Sequence, residues 1–190
     1  QEVKDKIDWT PFFRTWELTG RYPEILKDKV VGKSAKALFD DAANMLEKII
    51  SENWLKAKCV IGFYPANSVG DDVEIYRSVD RNEVIKKLFF LRQQMIRRQE
   101  RKNYSLADFI APKTTKKQDY IGFFVVSAGY GIENKLKEFK ELNDDYNDIL
   151  LKSLADRIAE AFAERMHERV RKEFWGYAKE ENFSNEDLIK

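Results

Sequence analysis

The chain has 190 residues, 43% hydrophobic and 35% charged, with 13 Phe, 8 Tyr and 4 Trp. That is enough apolar and aromatic material for a sizeable core, which excludes whole-chain disorder. Lys+Arg (34) and Asp+Glu (33) balance to a formal net charge of +1, so nothing global marks a nucleic-acid or membrane-surface protein.

Residues 1–7 form a charged lead. Thr10-Pro11 predicts a helix start, with Thr10 as N-cap, Pro11 first inside and Gly20 closing the short helix. Ser34 is expected to open the next one. Ala35, Leu38, Phe39, Ala42, Met45, Leu46, Ile49 and Ile50 recur at helical spacing and predict an amphipathic helix over 34–53. The period then changes. Lys58 to Tyr64 reads as a strand, Pro65 to Asp72 (PANSVGDD) as a turn, and Val73 to Tyr76 as the returning strand. A further strand is expected over 83–91, followed by a basic, loop-rich stretch over 97–118.

Tyr120 to Ser127 (YIGFFVVS) is the clearest buried strand and is expected to end at Gly129-Tyr130-Gly131. Helices follow over 133–142 and 144–175, and a last one begins at Ser184. In the long helix the apolar residues at 146, 150, 154, 158, 162, 166, 170 and 174 step by four. At about 3.6 residues per turn such a stripe winds around the helix, as for a central helix beneath a curved sheet. No linker rich in Pro, Gly or Ser divides the chain, so a single α+β domain is expected. The start at Gln1 without Met and the stop at Lys190 inside a helix suggest a piece of a longer polypeptide.

Cys59 is the only cysteine and His167 the only histidine, so an internal disulfide and a Cys/His zinc site are both excluded. The longest uncharged run, Tyr120 to Ile132, falls short of the roughly 18 apolar residues of a membrane span. With no signal peptide legible, a cytoplasmic location is expected. Val31-Gly32-Lys33-Ser34 lacks the upstream glycine of a phosphate loop, since position 27 is Lys. Gly129-x-Gly131 lacks the third glycine of a dinucleotide loop, since position 134 is Asn.

Three features carry chemistry. Residues 86–117 hold ten basic residues (Lys86, Lys87, Arg92, Arg97, Arg98, Arg101, Lys102, Lys113, Lys116, Lys117) against two acidic ones. They form either a solvated edge or a dock for an acidic protein or a nucleic acid. On the long helix Asp156, Glu160, Glu164 and Glu168 fall four apart and repel unless Arg157, Arg165, Arg169 and Lys172 offset them. Part of this ladder can instead face a cationic ligand; His167 lies on the same polar side and reads as a hydrogen-bonding residue rather than a catalyst. Asp8 beside Trp9 can hold an ammonium or sulfonium group, or cap the first helix.

Several stretches then go further together. IDWTPFF (7–13), FYPANSVGDDVEIY (63–76), LRQQ (91–94), LADFIAPK (106–113), DYIG (119–122), DDYN (144–147) and ADRIAEAFAERMHERVRKEFWGYA (155–178) closely resemble the C-terminal activation domain of cobalamin-dependent methionine synthase. The resemblance covers nearly the whole chain in the right order. It implies a curved domain around a twisted antiparallel sheet with surrounding helices and a long C-terminal helix.

It also implies a role in a methyltransferase. When the enzyme's cobalamin is oxidised to inactive cob(II)alamin, the domain binds S-adenosylmethionine and covers the cobalamin module. A flavodoxin or flavoprotein reductase then supplies an electron for remethylation. Cobalamin is held by another module, and zinc belongs to the parent enzyme only. By the same resemblance Asp8 matches the aspartate that holds the amino group of S-adenosylmethionine. Glu160 matches a glutamate near the same ligand, and Asp156 is implied to face the cobalamin module. The family's Arg-x-x-x-Gly-Tyr-Pro ligand stretch does not occur before Lys190. The chain alone is therefore expected to bind S-adenosylmethionine weakly and to be inactive. The alternative function is a nucleic-acid-binding module using 86–117.

Overall fold

The structure, a computed structural model, describes residues 2–96 and 102–183. The expected helix at Ser184 and three of the ten basic residues (Arg97, Arg98 and Arg101) lie outside them. The backbone divides into two compact units, one built from Gln1–Cys59 and Val125–Lys190, the other from Val60–Phe124.

The first unit is mainly helical. Helix α1 (Trp9–Thr15) begins two residues earlier than expected. Asp8, not Thr10, is its N-cap, accepting the Thr10 N–H at 2.9 Å. Pro11 still falls in the first turn, where a missing N–H is harmless. The Thr10 hydroxyl instead accepts the Tyr22 N–H, tying down the loop that follows α1. The helix ends at Thr15, well short of Gly20.

Helix α2 (Gly32–Ser51) also starts before the predicted Ser34. Its entry is built by Asp28, whose carboxylate accepts the N–H groups of Val30 and Val31 while its carbonyl accepts that of Gly32. The two backbone bonds hold the Asp28 carboxyl below its ordinary value. Glycine relieves a close approach at position 32, where a Cβ would lie 3.1 Å from the Leu26 carbonyl oxygen.

Helix α3 (Ile132–Glu141) follows Gly131, whose φ of 94° suits glycine. Asp144 caps helix α4 (Asp145–Arg169) through the Asn147 N–H. The α-helix stops at Arg169 rather than continuing to 175. A π-turn over Val170–Phe174 replaces its last turn, closed by the Trp175 N–H on the Val170 carbonyl.

The buried residues of α4 are Leu150, Leu151, Leu154, Arg157, Ile158, Ala161 and Met166. The stripe follows the four-residue step at Leu150, Leu154, Ile158, Met166 and Val170, with Leu151, Arg157 and Ala161 buried beside it, while its two ends, Tyr146 and Phe174, are exposed. Its packing partners in the unit include α1, α2 and α3. The core joins Phe12, Phe13, Leu38, Leu46 and Ile49 to Leu150, Leu151 and Leu154. Trp9, Phe12, Phe13, Tyr22 and Phe39 stack or meet edge-on beside it.

The sheet has four antiparallel strands, β1 (Lys56–Val69), β2 (Asp72–Tyr76), β3 (Val84–Phe89) and β4 (Asp119–Tyr130), in the order β3-β2-β1-β4. In the second unit β1 does not end at Tyr64. The supposed turn PANS continues the strand, with Ala66, Asn67 and Ser68 opposite Ile75, Glu74 and Val73. Only Gly70-Asp71 turns, with Gly70 at φ 62°.

Asn67 and Ser68 are buried because they serve the segment beyond. The Asn67 amide donates to the carbonyls of Ala111 and Lys117, and the Ser68 hydroxyl to that of Ile110. Arg81 donates to the Asn67 side-chain oxygen and the Asp119 carbonyl. A small core of Ala66, Val73 and Ala107, flanked by Leu88, Phe90, Ile110 and Ile121, completes this unit. Among the described residues no helix is long and apolar enough to cross a membrane.

Candidate functional site

The three carboxylates singled out in the sequence all fall in the first unit. Asp8 is exposed at the N-terminus of α1, where one carboxylate oxygen is already engaged by the Thr10 N–H. A carboxylate accepts on two oxygens, so capping the helix and holding a cation are compatible. The neighbouring indole of Trp9 is committed to packing, edge-on to Phe12 at 5.4 Å and to Phe39 at 4.9 Å.

Asp156 and Glu160 lie one turn apart on α4 and are joined by Arg157. Its Nη1 donates to Glu160 at 2.7 Å, while Nη2 donates both to Glu160 at 3.0 Å and to Asp156 at 2.7 Å. The Arg157 side chain is only 8% exposed, whereas those of Asp156 and Glu160 are 69% and 61% exposed. Burial disfavours the guanidinium's charge, but the two carboxylates outweigh it, and its pKa is raised. No hydrogen bond or ion pair among the described residues joins Asp8 to either carboxylate, although α1 packs against α4.

The last carboxylate of the ladder, Glu168, is structural. Glu168 accepts from Arg165, Lys172 and Lys6, each at 3.2 Å, so it ties the N-terminal turn to α4. Burial raises its pKa, but hydrogen bonds from Lys172, Lys6 and Arg165 prevail and bring it down to about 2. Arg169, expected to offset the ladder, turns instead to Glu173.

His167 meets Arg171 at 2.9 Å through Nδ1. Arginine only donates, so Nδ1 carries the lone pair and the proton sits on Nε2. Burial and the adjacent Arg171 charge push the His167 pKa down. Arg171 in turn makes a fork-like ion pair with Glu181; their side chains are 8% and 9% exposed. His167 is thus part of the tie that fastens the segment after the π-turn. The sequence carried no signal for the Arg171–Glu181 pair, whose partners come together only because the π-turn and Gly176 redirect the chain.

The basic stretch is partly neutralised within the second unit. Lys87 pairs with Asp72 at 3.0 Å, and Lys113 with Glu74 at 2.7 Å. Arg92 forks between Asp71 at 2.6 Å and Asp108 at 2.7 Å. Acidic residues on β2 and its turn therefore answer part of the excess that the count over 86–117 shows, and this weakens the case for a nucleic-acid surface.

Comparison with known proteins gives two findings. Residues 1–190 match the family described as "Vitamin B12 dependent methionine synthase, activation domain". A crystal structure of the MetH reactivation domain bound to AdoHcy superimposes with a TM-score of 0.90 at 53% sequence identity, over 98% of this chain. The match covers 57% of that solved chain, so the present chain spans little more than half its length.

Proposed function

Because the chain belongs to the family of vitamin B12-dependent methionine synthase activation domains, we propose that it is the S-adenosylmethionine-binding module of a methyltransferase, acting in methionine biosynthesis. It would serve the reductive remethylation of cob(II)alamin held by the cobalamin module of the same polypeptide, in the cytoplasm. The observation that carries this reading is the 53% identity, over 98% of the chain, to a domain solved with AdoHcy. AdoHcy is the demethylated product of S-adenosylmethionine and shares its amino-acid end.

The residues fit that ligand's chemistry. Its amino-acid end carries an ammonium group, and the exposed Asp8 carboxylate has an oxygen to offer beyond the one that caps α1. Its sulfonium is a second cation, and Glu160 presents an exposed carboxylate on α4. Asp156, one turn earlier and exposed, would meet a donor of the cobalamin module. S-adenosylmethionine supplies the methyl group, and a flavodoxin or flavoprotein reductase supplies the electron. The chain's own part is to bind, orient and dock.

The test is a titration of S-adenosylmethionine into the full-length polypeptide with its cobalamin in the cob(II) state, read by calorimetry and by the visible spectrum. Saturable binding is expected, and with an electron donor present the methylcobalamin spectrum should return. Absence of both would overturn the assignment.

A further inference from the structure

We propose that Arg157 is the positioning residue for Glu160, with Asp156 as its counter-anchor; the proposal rests on the reading that Glu160 meets the S-adenosylmethionine cation. Surface ion pairs on a helix usually hold neither partner firmly, because both side chains move in water. This triad is different. The guanidinium is buried, on the same face of α4 as Leu154, Ile158 and Ala161, and only the carboxylates reach solvent. The cation is therefore the fixed member, and the carboxylates take their direction from it.

Glu160 is gripped through both oxygens, by Nη1 and Nη2, which sets the plane of its carboxylate as well as its place. Nη2 also holds Asp156, so the guanidinium is itself braced from the other side. Without Arg157 the two carboxylates, four residues apart, would repel and their rotamers would spread. The three side chains together carry one net negative charge.

Arg157 has two opposed effects on a cationic ligand. Its positive charge reduces the attraction of the site, and its grip removes the cost of ordering Glu160 when the ligand arrives. At the solvent-exposed carboxylate the first effect is strongly screened. The second is not, because a flexible Glu loses rotamer freedom on binding. Orientation therefore outweighs charge, and loss of Arg157 weakens binding.

The experiment compares S-adenosylmethionine affinity of the full-length, cobalamin-loaded polypeptide in five forms: unchanged, Arg157→Met, Arg157→Lys, Glu160→Gln, and Arg157→Met with Glu160→Gln. Arg157→Met is expected to weaken binding roughly five- to tenfold, and Arg157→Lys to recover part of the loss. In the Glu160→Gln background the Met substitution should change affinity by less than about twofold, because its effect passes through Glu160. An Arg157→Met form that binds as tightly as the parent, or one that loses the same factor in both backgrounds, refutes the proposal while leaving the Glu160 reading standing. A Glu160→Gln form with undiminished affinity refutes both together.

Discussion

Replacing Asp8 by asparagine and, separately, by alanine divides its two duties. Asparagine caps a helix about as well as aspartate but carries no charge; alanine does neither. The Thr10 N–H is satisfied by Asp8 at 2.9 Å, and α1 is only seven residues long, so it cannot spare its cap. Losing it should cost about 1 kcal/mol. For a chain of this size that lowers Tm by about 2–4 °C. A charge-assisted hydrogen bond to the ligand's ammonium is worth about 1.5–3 kcal/mol, or a loss of about ten- to 150-fold in affinity. The solvent exposure of Asp8 favours the lower end. Asp8→Asn should therefore melt within about 1 °C of the parent and bind S-adenosylmethionine at least about tenfold more weakly. Asp8→Ala should show both losses. Circular-dichroism melting and calorimetric titration in the full-length polypeptide read the two quantities separately. An Asn variant that binds like the parent would refute the ligand role of the carboxylate. An Asn variant that melts as low as Ala would refute the capping account.

Leu154 is fully buried between α4 and its helical neighbours, so Leu154→Ala should cost about 3–4 kcal/mol in urea unfolding, against less than about 0.5 kcal/mol for Leu142→Ala at an exposed helix end. Glu168 titrates at about 2 when folded and near its ordinary 4.5 when unfolded. Its stabilisation is thus complete above about pH 4.5 and lost as pH falls toward 2, and Glu168→Gln should flatten the acid limb of a stability–pH curve over that range. His167 is held neutral, its pKa below the ordinary 6.5. The unfolded chain therefore takes up a proton first, stability falls as pH drops below 6.5, and His167→Gln should remove that component when melting is followed from pH 7 to 5.

What could be read early followed from short-range periodicity. Ala35, Leu38, Ala42, Met45, Leu46 and Ile49 are all buried on α2 as their spacing demanded. The strands around Lys58–Tyr64, Val73–Tyr76 and Tyr120–Ser127 all exist, but the last, expected to be buried, has no fully buried residue and leaves Val125 exposed. Misreadings came where a residue type has two uses. Asn67 and Ser68 look like turn formers because their side chains bond nearby backbone. Here the backbone they bond lies 42 to 50 residues on, at Ile110, Ala111 and Lys117. Asp28 and Asp8 displaced Ser34 and Thr10 as the groups that start helices, because each carboxylate, lying ahead of the residue expected, already satisfies open N–H groups at the helix entry.

The candidate site divides the same way. Asp8, Asp156 and Glu160 were named from a resemblance spread over many short stretches, and they could be placed by number before any fold was known. Arg157 stood in the same sequence as an ordinary offset to like charges, indistinguishable from Arg165 or Arg169. Only packing separates them: α4 turns Arg157 toward the core, and Arg169 outward to Glu173.

By itself, then, the sequence determined the class of fold and the family resemblance, because these depend on residue types along short stretches, and it was the resemblance that nominated the carboxylates. The tertiary structure decided which charges are fixed and which are free to move. That depends on what lies behind each side chain: a guanidinium buried on α4 holds Asp156 and Glu160, β2 carboxylates answer Lys87 and Lys113, and a π-turn brings Glu181 to Arg171. Such long-range neighbours set the dielectric and the geometry of a charge, and no local pattern records them.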